Sequence, residues 1–106
     1  MITIKIERDH KQAVAGFRVE GHANTAPHGQ DIVCAGVSAL IQTSVFGLER
    51  YLKREITLQQ NGANFAVQLV GVPDDQTQAI LETMILGLTE IVKLNPQNVR
   101  ILESRR

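Results

Sequence analysis

A chain of 106 residues with 43% hydrophobic and 21% charged side chains has enough apolar material for one core and an ordinary globular surface. Eleven basic and eleven acidic residues cancel, which argues against nucleic-acid binding through bulk charge, and a single cysteine excludes an internal disulfide. The opening MITIKIERDH lacks the apolar centre of a signal peptide. The longest greasy segment, Ile80 to Leu94, is broken by Glu82, Thr83, Thr89 and Glu90. The expectation is one soluble, cytoplasmic domain over residues 1–106, with no membrane contact.

In chain order, Ile2, Ile4 and Ile6 alternate with polar residues, the period of a half-buried strand. Asp9 to Gln12 reads as a turn and Ala13 to Glu20 as a second strand, paired antiparallel to the first across so short a connection. Gly21 to Gln30 has loop composition. From Ile32 to about Arg54 the apolar positions (Val37, Leu40, Ile41, Ser44, Leu48, Tyr51, Leu52) recur at helical spacing, with Asp31 as the N-cap. Gly36 inside that helix implies either a close approach by substrate or another backbone, or tight packing. Ile56 to Gln60 is a third strand, Asn61-Gly62 a hairpin turn and Ala63 to Val70 a fourth strand. A second helix follows, capped by Asp74 or Asp75, with Ile80, Leu81, Met84, Ile85, Leu88, Ile91 and Val92 as its apolar face and Asn95-Pro96 as its stop. Val99, Ile101 and Leu102 make a short last strand, with Ser104 to Arg106 fraying. The order ββαββαβ predicts an α+β fold: a mainly antiparallel sheet with two helices on one face.

The chemistry concentrates between Gly21 and Leu40, which hold the only cysteine and two of the three histidines. With Asp31 as N-cap, Cys34 falls in the first helical turn, where the dipole and free N–H groups favour a thiolate. Thiol hydrolysis needs a thiolate, an imidazole and donors for an oxyanion. His22 offers the imidazole, and backbone N–H groups near Cys34 and Ala35 offer the donors. Asp31 has two possible jobs, helix cap or orienter of His22. Ser38, one turn beyond Cys34, either bonds a substrate or bonds back within its helix. The blander readings are a buried, inert Cys34 and solvent-exposed loop histidines. Zinc on His22, His28 and Cys34 lacks short paired spacing and a fourth ligand.

Gly21-His22-Ala23, then Gly29-Gln30-Asp31-Ile32-Val33-Cys34-Ala35 and Val37-Ser38-Ala39-Leu40, closely resemble the ribosomal-processing cysteine protease family Prp. The resemblance implies a bacterial cytoplasmic endopeptidase that removes the N-terminal extension of the large-subunit ribosomal protein L twenty-seven precursor. It implies Cys34 as nucleophile and His22 as general base, then acid. Asp31 and Ser38 would support and line the site, and Gly21 would be the hinge of the His22 loop. It also implies a homodimer, and acyl-enzyme hydrolysis by Cys34 and His22 requires no cofactor. The chain departs from the pattern at Asn24 to His28, which carries a proline and an extra histidine, and at Gly36, where alanine is usual. His28 is either a loop surface residue or a second titrating group. The competing reading is a non-catalytic module that docks on a ribosomal protein or ribosomal RNA.

Overall fold

The computed structural model describes residues 1–21 and 28–105, with the side chains of residues 28–31 outside the description. The elements are β1 (Ile2–Arg8), β2 (Val14–Glu20), α1 (His28–Phe46), a π-helical turn (Gly47–Tyr51), β3 (Ile56–Asn61), β4 (Asn64–Leu69), α2 (Asp75–Leu94) and β5 (Val99–Arg105). The five strands form one sheet in the order β3-β4-β2-β1-β5. Every pairing is antiparallel except β1 with β5, which run parallel. The ββαββαβ order and the mainly antiparallel α+β sheet are as the sequence predicts.

Strand alternation divides the sheet into two unlike faces. Ile2, Ile4 and Ile6 of β1, Phe17 of β2 and Val67 and Leu69 of β4 are buried on one of them, in a single cluster with residues of both helices. From α1 and the π turn come Val33, Val37, Ile41, Val45 and Leu48; from α2 come Leu81, Met84, Ile85 and Leu88. The opposite face is polar. Lys5 pairs with Glu20 at 3.2 Å, Arg18 lies 3.7 Å from Glu7, and Arg100 donates to Thr3 at 3.0 Å. Gly16 sits between Glu7 and Gln68 in the strand register. Its missing side chain lets the Gln68 amide cross β2 and donate to Glu7 at 2.9 Å. A Cβ there would stand 2.6 Å from the Val67 carbonyl oxygen and 2.8 Å from the Gln68 amide.

The helices run antiparallel and meet through glycines. A Cβ at Gly36 would contact Ile91 at 3.4 Å, one at Gly87 would meet Leu40 at 3.0 Å, and one at Gly47 would meet Ile80 at 3.1 Å. Of the two explanations for Gly36, packing against α2 is therefore the one the structure supplies. By length and composition Ile32–Tyr51 is apolar enough to cross a membrane, which corrects the placement of the longest greasy segment at Ile80 to Leu94. Its apolar side chains at Val33, Val37, Ile41, Val45 and Leu48 are accounted for by the core they fill.

Four boundaries differ from the sequence reading. α1 begins at His28, so Asp31 lies within the first turn and is not its N-cap. The α-helix ends at Phe46 and gives way to the π turn, closed by Leu52 N–H on the Gly47 carbonyl (2.9 Å) and by Lys53 at φ 55°. The extra residue in that turn shifts the helical phase, so Tyr51 is 83% exposed rather than part of the apolar stripe. The β3–β4 corner is Gly62-Ala63, between paired Asn61 and Asn64. Gly62 has φ 63° and Ala63 has no positive φ, the pattern of a type II′ turn. Finally, β5 does not fray at Ser104 and Arg105, and Arg106 lies outside the described residues. Glu103, Ser104 and Arg105 pair with Ile6, Glu7 and Arg8, and Arg8 binds Glu103 at 3.0 Å and Glu82 of α2 at 2.8 Å. Those two carboxylates, Glu82 foremost, raise the guanidinium pKa further above its ordinary value.

The start of α2 is fixed by Asp74 and Thr77 in a reciprocal cap. The Thr77 N–H donates to the Asp74 carboxylate at 2.8 Å, and the Asp74 N–H donates to the Thr77 hydroxyl at 3.0 Å. Arg54 donates to the carbonyls of Val70 and Val72 and to Asp74, tying the chain after the π turn to the β4–α2 connection. The Thr77 backbone bond, with help from its hydroxyl and from Arg54, holds the Asp74 carboxyl below its usual range against a smaller desolvation effect. A depressed folded-state pKa stabilises the fold above the ordinary carboxyl range, near pH ~4, and that contribution is lost as pH falls through the folded value. Asp74→Ala is therefore expected to lower the thermal midpoint at pH 7. The gap from wild type should narrow below pH ~4. An equal gap at pH 7 and at pH ~2.5 would count against the charged cap.

Candidate active site

Cys34 projects from α1, half-buried and packed against the core. It lines an open groove of about 270 Å³ bounded by α1, the ends of β1 and β2 and the β3–β4 hairpin. The floor is apolar, with Ile2, Val19, Val37, Ile41 and Phe65. Ser38 and Gln42 follow Cys34 at four-residue steps on the helical wall, and Gln60 with the Gly62-Ala63 corner forms the opposite wall. The groove exists because β4 pairs with β2 in a register that sets Phe65 against Val19, which carries the hairpin corner to the mouth of β2.

Of the residues singled out from the sequence, the structure brings Cys34, Ser38 and Gly21 to one groove. Gly21 has φ 77°, and a Cβ there would stand 2.6 Å from the Met1 carbonyl oxygen. Only glycine meets both conditions without strain, so a requirement for glycine here has a static cause in addition to any hinge. Ala35 is exposed and does not line the groove. His22, which follows Gly21 in the chain, lies outside the described residues, as do the side chains of Asp31 and His28. The zinc alternative rests on two of those three, His22 and His28.

One expectation about chemistry is corrected. Because α1 begins at His28, Cys34 is six residues into the helix rather than in its first turn. The dipole effect fades within the first turn, and only the first four N–H groups lack helical partners. The backbone N–H groups of Cys34 and Ala35 are thus committed to the helix, and an oxyanion beside the sulfur must find its donors elsewhere. Among the described residues of the groove, the Ser38 hydroxyl is the side-chain donor nearest to Cys34 along the helix.

The sequence reading missed Gln42, Gln60, Ala63 and Phe65. Gln42 had a signal, since it continues the four-residue steps from Cys34 through Ser38. The hairpin residues had none, because only a long-range strand pairing brings them across from α1. Ser38 is exposed, so Ser38→Phe should leave the fold intact while filling the groove beside the thiol. Alkylation of Cys34 by iodoacetamide, followed by mass, should be markedly slower in that variant at unchanged thermal midpoint. An unchanged rate would mean that the thiol is reached from elsewhere.

Known proteins are similar to this chain in sequence and architecture. The model of the family Cysteine protease Prp matches residues 1–100. The ribosomal processing cysteine protease Prp of Staphylococcus aureus is 35% identical over 104 residues, covering 95% of this chain and 97% of that protein. Its Bacillus subtilis counterpart is 32% identical over 107 residues, covering 95% and 96%. A crystal structure of the S. aureus protease with a covalently linked product peptide superimposes with a TM-score of 0.89 at 30% identity, covering 98% of this chain and all of that one. This chain belongs to the cysteine protease Prp family, and it is a cysteine protease.

Proposed function

We propose that this protein removes the N-terminal extension of the large-subunit ribosomal protein L twenty-seven precursor, by acyl-enzyme hydrolysis at Cys34. The observation that carries the reading is the groove itself. A half-buried thiol lies along an apolar trough open at its mouth, with the residue preceding His22 on the same rim. The names of the S. aureus and B. subtilis relatives, as ribosomal processing proteases, support a ribosomal protein as the substrate class.

In this scheme the Cys34 sulfur attacks the scissile carbonyl carbon as His22 takes the thiol proton. The Ser38 hydroxyl donates to the oxyanion of the tetrahedral intermediate. Collapse breaks the C–N bond, and His22 returns its proton to the leaving amine. Water, deprotonated by His22, then cleaves the thioester and restores the thiol. Asp31 orients His22, and the loop that carries His22 closes on Gly21 when a peptide binds. The scheme uses no metal and no cofactor.

The test is incubation of the extended precursor from the same organism with wild type and with Cys34→Ala, read by precursor mass. Loss of one defined N-terminal peptide with wild type alone is expected. Binding without cleavage by either protein would replace the protease with a docking module.

We also propose that the protein works as a cytoplasmic homodimer. Leu86, Leu94, Val72 and Tyr51 are each at least 68% exposed, and a second copy covering some of them would reduce that apolar surface. Sedimentation at micromolar concentration should give twice the chain mass, and the protein should fractionate with the cytosol. A monomer, or recovery with membranes, would remove the respective claim.

A further inference from the structure

The groove continues well past the thiol. Gln42 is eight residues beyond Cys34 on α1, an axial distance of about 12 Å at the rise of an α-helix. An extended peptide covers that distance in roughly three to four residues. Gln60 faces the same groove from β3, opposite Phe65 in the strand register. Both glutamines are exposed, and neither amide has a hydrogen-bond partner among the described residues. Each therefore offers an unused carbonyl acceptor and an unused NH₂ donor at the rim of a trough with an apolar floor.

Two neutral amides facing one channel suit a particular ligand chemistry. They carry no charge, so they offer nothing special to a basic or acidic side chain. Each has the same donor and acceptor groups as a peptide unit, and main-chain bonding gives affinity with little regard to sequence. We propose that Gln42 and Gln60 grip the main chain of the bound peptide from the two walls of the groove, Gln42 three or four residues from the scissile bond. They form a distal subsite that rewards an extended substrate over a short one. Resting on the protease reading above, the inference adds the part of the substrate that the far end of the groove recognises. The apolar floor can then take side chains while the rim fixes direction and register. A folded surface loop that cannot extend over that length would lose this grip, which favours an unstructured terminal extension.

The experiment uses peptides spanning the precursor cleavage site, lengthened one residue at a time on each side, with kcat/KM measured for each. Wild type should show a step of about tenfold when the third or fourth residue is added on one side, the worth of one or two net hydrogen bonds. The long-to-short ratio should fall toward one in Gln42→Leu and Gln60→Leu. Taking a ratio within each variant cancels any general loss of activity or folded fraction. In wild type, N-methylation of the distal peptide bond should remove the step, whereas changing the side chain at that position to alanine should keep it. Persistence of the step in both variants, or after N-methylation, overturns the proposal. Cleavage by wild type with no step on either side overturns it while leaving the protease reading intact. If wild type cleaves none of the peptides but cleaves the whole precursor, recognition lies outside the groove and the proposal falls. Failure on peptide and precursor alike removes the protease reading and this inference together.

Discussion

The pairing of β4 with β2 is the constraint on which the rest of the molecule depends. Without it, β3 and β4 would be a lone hairpin attached to a three-stranded sheet, and an isolated hairpin is at best marginally stable in water. Gly16 lies at one end of that pairing, opposite Gln68. Any larger residue would press on the Val67 carbonyl and obstruct Gln68 on its way to Glu7. One absent side chain thus allows a hydrogen bond to span three strands. On the buried face, the same pairing sets Phe17 beside Val67 and Val19 beside Phe65. Phe17 and Phe65 stand 6.4 Å apart in a tilted arrangement, so the floor of the groove is continuous with the core.

A site built this way has walls of different stiffness. The helical wall is held from behind by α2 through the glycine contacts of Gly36, Gly87 and Gly47. The hairpin wall belongs to an edge strand, with Thr57 to Asn61 all exposed. Groups on α1 that line the groove therefore sit on a rigid ruler, while those on β3 have more freedom to adjust. That division suits a protease whose scissile bond must be placed closely and whose remaining contacts tolerate some variation.

Much of this architecture is legible in the residues, and the departures have physical causes. The alternating isoleucines of β1 and the stripe of α2 are local signals with which the structure agrees, and of the two candidate caps, Asp74 and Asp75, it uses Asp74. Asp31 misled because a capping residue ahead of an apolar run is a good helix-start signal, yet α1 begins three residues earlier. The polarity of Ser104 to Arg106 reads as fraying. Parallel pairing with β1 and the Arg8 bridge overrule it, and neither is visible without the fold. The site divides along the same line. Cys34 and Ser38 are helical neighbours and could be read together, whereas Gln60 and Ala63 reach the groove only through the β2–β4 register. A period of 3.6 puts Tyr51 on the apolar stripe, and a single π turn is enough to turn it outward.

The placement of β1 also bears on how the protein can be handled. Ile2 lines the groove and the Met1 carbonyl lies against Gly21, so anything joined ahead of Met1 begins its path at the mouth of the site. β5 runs parallel to β1 and leaves at the opposite end, with Arg105 beside Arg8. A purification tag or reporter fused in front would be tethered within reach of the trough and would compete there at a high local concentration. The same fusion behind β5 would start a full strand length away and leave the trough clear.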